Sequence, residues 1–177
     1  MTASAPPARA ATRAYVGLGS NLADPTQQLA DAFAALAALP HTRLAAQSSL
    51  YRTAPMGVGT RQPDYVNAVA ALDTALSPRQ LLAALQAIER RQRRRRSAPN
   101  APRSLDLDLL LYGDHRRTGL KLLLPHPRLH LRGFVLKPLL ELAPAVAIPG
   151  RGRARKFLAR CRAQRVLLLI PVVRAAA

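Results

Sequence analysis

Apolar residues recur along this chain in two rhythms, short alternating runs and longer stripes of period 3.6, and their order predicts a succession of strands and helices. Ala14–Leu18 is a short apolar run that ends at Gly19-Ser20-Asn21 and reads as a strand. Asp24 is a good N-cap with Pro25 at the first helical position. Leu29, Phe33, Leu36 and Leu39 follow at helical spacing until Pro40 stops the helix. Leu44–Tyr51 and Tyr65–Leu72 predict a second and a third strand. Between them Pro55, Gly57, Gly59 and Pro63 break the pattern and predict a long loop over Thr53–Pro63. Ser77-Pro78 repeats the cap-and-proline start, ahead of a stripe of Leu81, Leu82, Leu85 and Ile88. That helix runs into an arginine-rich stretch, Arg90–Arg96, and then a breaker segment, Ser97–Pro102. Leu105–Tyr112 alternates Leu and Asp before becoming wholly apolar, the pattern of a strand half-buried at its start. A hairpin then leads to Pro125-His126-Pro127, Arg132–Leu142 forms a third helix ended by Ala143-Pro144, and Lys156–Gln164 a further helix before an apolar strand.

The order strand, helix, strand, strand, helix, strand predicts an α+β domain of the ferredoxin-like, split βαβ kind, with a mostly antiparallel sheet and helices packed on it. The boundaries expected are a disordered tail at 1–13, the domain at 14–150, and a basic extension at 151–177 packed on it. Composition narrows this picture. Only 4% of the 177 residues are aromatic against 49% apolar, so the core must be built of Leu, Ala and Val. No apolar run approaches the ~18 residues of a membrane span; Val166–Val173 is short and is interrupted by Pro171. Met1–Arg13 lacks the apolar segment of a secretory signal, and Cys161 has no partner for a disulfide, so the expectation is a cytoplasmic protein without membrane association. The net charge of +18 suggests a nucleic-acid binder until its distribution is considered. Residues 1–13 and 151–177 hold 10 of the 27 Lys and Arg and none of the 9 acids, which leaves +8 on the central body. An anionic substrate would account for that remainder.

Asp106-Leu107-Asp108 is the most informative triplet. On a strand, positions i and i+2 share a face, so both carboxylates converge while Leu107 turns to the core. Two anions held side by side invite a cation, and Mg²⁺ characteristically binds through one or two carboxylates plus nucleotide phosphates. Taken alone, the pair reads equally well as two solvated aspartates on an edge strand. Six Arg among the seven residues Arg90–Arg96, with Arg103 just ahead of the aspartates, add guanidinium groups suited to polyphosphate, although a solvated helix end or a nucleic-acid patch would use the same residues. There is no P-loop sequence. Gly17-Leu18-Gly19-Ser20 reads instead as a tight strand-to-helix turn. His126 between two prolines could meet a nucleotide or be purely structural, and Asn67, two residues after Tyr65, could offer an amide to a heterocycle or be an ordinary strand residue.

Taken in order, Tyr15-Val-Gly-Leu-Gly-Ser-Asn-Leu22, Ser49-Leu-Tyr-Arg-Thr-Ala-Pro55, Gln62-Pro-Asp-Tyr-Val-Asn67, Ala101-Pro-Arg-Ser-Leu-Asp-Leu-Asp-Leu109, Leu124-Pro-His-Pro127 and Arg132-Gly-Phe134 resemble the 6-hydroxymethyl-7,8-dihydropterin pyrophosphokinase family over roughly Ala14–Pro149. The resemblance implies transfer of diphosphate from ATP to 6-hydroxymethyl-7,8-dihydropterin, giving AMP, in folate biosynthesis. It implies two Mg²⁺ on Asp106 and Asp108, with Arg94 and Arg103 stabilising the transferred phosphates as catalytic groups. Glu89, Arg94, Arg103, His126 and Arg132 would contact ATP. Thr53, Ala54, Met56, Tyr65, Asn67 and Phe134 would form the pterin slot, with Phe134 stacked on the ring. The partners implied are these two small molecules, with no nucleic acid and no membrane, acting on a monomer. The chain departs from the family in having no Trp, where the family often carries one ahead of the segment at Ala101-Pro102-Arg103.

Overall fold

The computed structural model describes residues 10–55, 62–92, 104–119 and 121–171. Strand β1 spans Thr12–Ser20 and is followed by helix α1, Pro25–Ala37. Strands β2 (Thr42–Gln47) and β3 (Leu50–Thr53) lead to the long strand β4 (Tyr65–Thr74), and helix α2 covers Pro78–Arg91. Then come β5 (Asp106–Tyr112), α3 (Gly133–Leu142), a small β6–β7 ribbon (Ala147–Ile148 and Gly152–Arg153), a short α4 (Arg155–Leu158) and β8 (Val166–Ile170). The main sheet runs β5-β1-β4-β3-β8, with β2 also pairing β4, and every pairing is antiparallel. β4 therefore lies between β1 and β2–β3, and β1 lies between β4 and β5. This is the interleaving of two split βαβ units.

Local signals account for the helix starts. Asp24 accepts hydrogen bonds from the amides of Thr26 and Gln27, with Pro25 in the first turn. Ser77 and Gln80 form a reciprocal capping box at the head of α2. The stripe predicted for α1 is the one that packs: Leu29, Phe33 and Leu36 are buried, joined by Ala32.

Four local expectations change. β1 begins at Thr12 and ends at Ser20, because Thr12 and Arg13 pair with Thr74 and Asp73, and Arg13 Nε donates to Asp73 Oδ1 at 2.6 Å. The predicted strand Leu44–Tyr51 is two strands. Ser48 breaks it by inserting its hydroxyl into the ladder, where Oγ accepts from Val69 N at 2.8 Å. Gly17 and Gly19 lie inside β1 and make no turn; each has an ordinary extended partner on both sides. The helix expected at Lys156–Gln164 is only α4 followed by a 3₁₀ turn at Ala159–Cys161.

The two faces of the sheet are covered unequally. Ala14, Val16 and Leu18 of β1, Val66, Ala68, Ala70 and Leu72 of β4, and Leu107 and Leu109 of β5 form one core with the buried stripes of α1 and α2. On the other face, Val69 and Leu110 join α3 through Val135, Leu136 and Leu139. A single helix does not span the sheet, so part of this second face stays open. Among the described residues no helix is long and apolar enough to cross a membrane.

Candidate active site

The open part of the second face is a cavity of about 380 Å³. Its floor follows from strand register. Asp106 pairs with Gly19, and Gly19 with Asn67, so these three residues form one row across β5, β1 and β4. Asp108, Gly17 and Val69 make the next row. The odd positions of β1 face this side, and at two successive ones the side chain is absent. A Cβ on Gly19 would lie 3.3 Å from Asn67 Oδ1, and one on Gly17 would lie 3.4 Å from the Leu110 side chain. The glycines therefore clear a trough whose sides carry polar groups.

One wall is β3 and the residues after it. Asn67 is nearly enclosed (4% exposed) and donates from Nδ2 to Thr53 Oγ1 at 2.9 Å, which turns its carbonyl oxygen toward Gly19. Thr53, Ala54, Pro55 and Tyr65 line the cavity beside it. The opposite wall is the start of α3, with Arg132, Phe134 and Val135 in the lining and Arg128 and Leu131 just before them. The Arg132 guanidinium lies 5.6 Å from the Phe134 ring centroid and 3.4 Å from Asp108 Oδ2.

The carboxylates stand at the rim. Asp106 and Asp108 are both half-exposed and both line the cavity, while Leu107 between them is buried, as the i, i+2 argument requires. His126 Nε2 is 3.7 Å from Asp108 Oδ2, and its Nδ1 accepts from the Arg128 amide at 3.2 Å. That acceptor role puts the ring proton on Nε2, facing the aspartate. Burial, reinforced by the charges of Arg132 and Arg128, lowers the His126 pKa against the opposing pull of Asp108 and Asp106, so the ring stays a neutral donor near pH 7. Among the described residues there is no cluster of three metal-ligating side chains. Two hard oxygen donors at one rim fit a cation that completes its shell with phosphate oxygens and water.

The family of 7,8-dihydro-6-hydroxymethylpterin-pyrophosphokinases matches residues 15–144. This chain belongs to that family. The 2-amino-4-hydroxy-6-hydroxymethyldihydropteridine pyrophosphokinase of Pseudomonas aeruginosa is 48% identical over 149 residues, covering 84% of this chain and 91% of the relative. Its counterpart in Haemophilus influenzae is 46% identical over 136 residues, covering 77% and 84%. A crystal structure of Plasmodium falciparum HPPK-DHPS superposes with a TM-score of 0.67 over 86% of this chain. This chain spans 46% of that longer protein, and at 12% identity the likeness is one of fold. As a pyrophosphokinase of folate biosynthesis, the chain transfers diphosphate from ATP to hydroxymethyldihydropterin.

The structure brings together most of the residues this pyrophosphokinase was expected to use. Thr53, Ala54, Tyr65, Asn67, Asp106, Asp108, Arg132 and Phe134 surround one cavity, and His126 stands behind Asp108. Glu89 stands apart from that group. It is 4% exposed and is not part of the lining; its Oε1 accepts from the Leu107 amide at 2.8 Å. Among the described residues β5 is the outer strand of the sheet, and through this bond Glu89 ties α2 to the strand that carries the aspartates. Met56, Arg94 and Arg103, with the loop Arg95–Pro102 and most of the loop after Thr53, lie outside the described residues. The lining also holds Arg128, which sequence reasoning missed and whose signal was a cation two residues beyond the Pro-bracketed His126, and the floor glycines, which it read as a turn although their alternation within an apolar run marks a strand.

Below the β3 wall, the Glu141 carboxylate near the end of α3 accepts from Ser49 N, from Ser49 Oγ at 2.8 Å and from Tyr51 Oη at 3.0 Å. Burial and this bond to Glu141 push the Tyr51 phenol up to about 12 from the usual 10.0. A folded pKa above the unfolded one means the contribution is intact below the ordinary tyrosine range and is lost as pH rises toward the folded value. Urea midpoints of the wild type should therefore fall over that alkaline interval more steeply than those of Tyr51→Phe. Parallel curves would show that the phenol is not held in this way.

Proposed function

We propose that the cavity seats the pterin against Asn67 and Phe134 and directs its hydroxymethyl group toward the ATP phosphates at the Asp106–Asp108 rim. The row Asp106–Gly19–Asn67 carries this reading, because it sets a heterocycle-binding amide and a metal-binding carboxylate on one face, separated only by a residue with no side chain. A flat ring fits over Gly19 and Gly17 where any larger residue would fill the space. The Asn67 carbonyl oxygen is free to accept from an amino group, while Nδ2 is committed to Thr53. Phe134 offers a ring face from α3, and Tyr65 and Thr53 close the opposite side.

Asp106 and Asp108 would hold Mg²⁺, two ions with ATP, which would supply neutralisation of the phosphate charge at this rim. Arg132 and the neutral Nε2–H of His126 stand beside Asp108 at the same rim, so cationic and neutral donors accompany the carboxylates where an anionic substrate would sit. Arg94 and Arg103 are assigned to the transferred phosphates on sequence grounds. The hydroxymethyl oxygen attacks the β-phosphorus of ATP, the new O–P bond forms as the bond to the AMP oxygen breaks, and the hydroxyl proton is released. Most of the acceleration comes from holding the two substrates in contact. In this reading the working unit is a monomer. A nucleic-acid reading of the basic charge has less support, since the open sheet face carries Gly17, Gly19 and Asn67 where such modules place aromatic platforms.

The experiment is an assay of AMP release from Mg·ATP by the full chain, with and without 6-hydroxymethyl-7,8-dihydropterin. AMP should form only when the pterin is present. Formation of ADP, or release of AMP at the same rate without pterin, would overturn the assignment.

A further inference from the structure

The family match ends at residue 144, yet the chain that follows packs against both walls of the cavity. We propose that Gln164 is a positioning residue for substrate binding, its side-chain amide clamping the segment that presents Arg132 and Phe134. The inference rests on the site reading given above and extends it to a part of the chain that touches neither substrate.

Three observations carry it. Gln164 Oε1 accepts from the Gly133 amide at 2.6 Å, and Nε2 donates to the Leu131 carbonyl at 2.8 Å. These two backbone groups flank Arg132, so one amide side chain satisfies a donor and an acceptor on either side of the residue that reaches Asp108. Second, the N-cap of α3 is Arg132, whose side chain makes no capping bond, unlike those of α1 and α2. Helix starts need acceptors for their free amides, and Gln164 supplies one from a distant part of the chain. Third, Gly133 has no spare room. A Cβ there would lie 3.1 Å from Gln164 Oε1 and 3.2 Å from Cys161 Cβ. The Arg132–Phe134 segment is therefore pressed onto the C-terminal residues, and its direction is set by them.

The same continuation grips the other wall. Lys137 Nζ on α3 donates to the Val166 carbonyl at 2.8 Å, and β8 pairs with β3 so that Val166 lies opposite Thr53. The stretch from Cys161 to Ile170 thus joins the helix that carries Phe134 to the strand whose Thr53 orients Asn67. Glutamine suits position 164 because it offers both an acceptor and a donor without charge. Glutamate keeps an acceptor for Gly133 but sets a second oxygen against the Leu131 carbonyl, and alanine keeps neither bond.

The test compares wild type, Gln164→Ala, Gln164→Glu, Phe134→Ala and the exposed-site control Arg162→Ala, all as full chains, by steady-state kinetics at a temperature well below each melting midpoint. Expected are a fall in kcat/KM for the pterin of about tenfold or more in Gln164→Ala, since small misplacements of binding groups are costly, a smaller fall in Gln164→Glu, and wild-type kinetics in Arg162→Ala. A lowered melting midpoint with kinetics within about twofold of wild type would make the amide merely structural and overturn the inference. If that outcome is accompanied by a large loss in Phe134→Ala, the reading of the site still stands. If Phe134→Ala also leaves the pterin KM unchanged, the reading of the site falls with it. Should Gln164→Ala fail to fold, Gln164→Glu decides by the same criterion.

Discussion

Asp108→Ala should lower turnover by about a thousandfold or more, the scale on which loss of a metal ligand or of a preorganised charge acts in phosphoryl transfer, while leaving the fold intact. The side chain is half-exposed and projects into the cavity, and it is the backbone of this residue that pairs with Gly17. Truncation therefore removes no core contact and opens no internal void. Without Mg²⁺ the variant should melt close to the wild-type temperature, because relief of the repulsion from Asp106 is offset by loss of the part-exposed contacts to Arg132 and His126. Asp108→Asn, which preserves size and loses charge, should be nearly as inactive as the alanine variant. The checks are the AMP assay at saturating substrates and a thermal melt on the same preparation. Turnover near wild type in a folded Asp108→Ala protein would remove the metal role from this rim.

Gly19→Val is expected to weaken pterin binding by about a hundredfold, since a misfit at the binding floor displaces the ring from its reacting position, with stability unchanged or improved. Gly19 has no positive φ, so valine brings no backbone strain at this position, and β-branched residues suit a strand interior better than glycine does. The cost falls on the cavity. The new Cβ would sit 3.3 Å from Asn67 Oδ1 and its methyl groups would extend over the trough where the ring is placed. The KM for ATP should move far less, because the phosphates are assigned to the rim. Pterin titration monitored by fluorescence, with a thermal melt alongside, tests both halves. Pterin affinity within about threefold of wild type would place the heterocycle elsewhere. A strongly lowered melting midpoint would instead show that the glycine is required for packing.

Several features of this fold and site were legible in the residues themselves. Asp24-Pro25 and Ser77-Pro78 mark helix starts because capping satisfies amides within three residues of the cap, entirely by local chemistry. The alternation Leu105 to Leu109 predicts that Asp106 and Asp108 share a face, since strand pleating needs no knowledge of neighbours. Other features were illegible for an equally physical reason. Nothing local shows that Glu89 is buried, since a carboxylate at the end of a helix is ordinarily exposed; only the arrival of β5 beside α2 encloses it against Leu107 N. Gly17 and Gly19 looked like a turn because glycine most often marks a break in local pattern. Here they are extended residues whose missing side chains matter to Asn67 and Leu110, and those residues belong to other strands. Ser48 reads as an ordinary strand residue until Val69 is known to stand across from it.

The sequence by itself determined the kinds of elements, their order, the apolar faces they bury, and a set of short motifs specific enough to indicate the family. These are properties of residues within a few positions of one another, where helical period, pleat and capping operate. Tertiary structure alone decided that Asp106, Gly19 and Asn67 share a row, that α3 leaves part of one sheet face uncovered, and that Gln164 caps a helix begun 31 residues earlier. Register and packing join segments far apart in the chain through geometry that no single segment carries, and the cavity exists only where those segments meet.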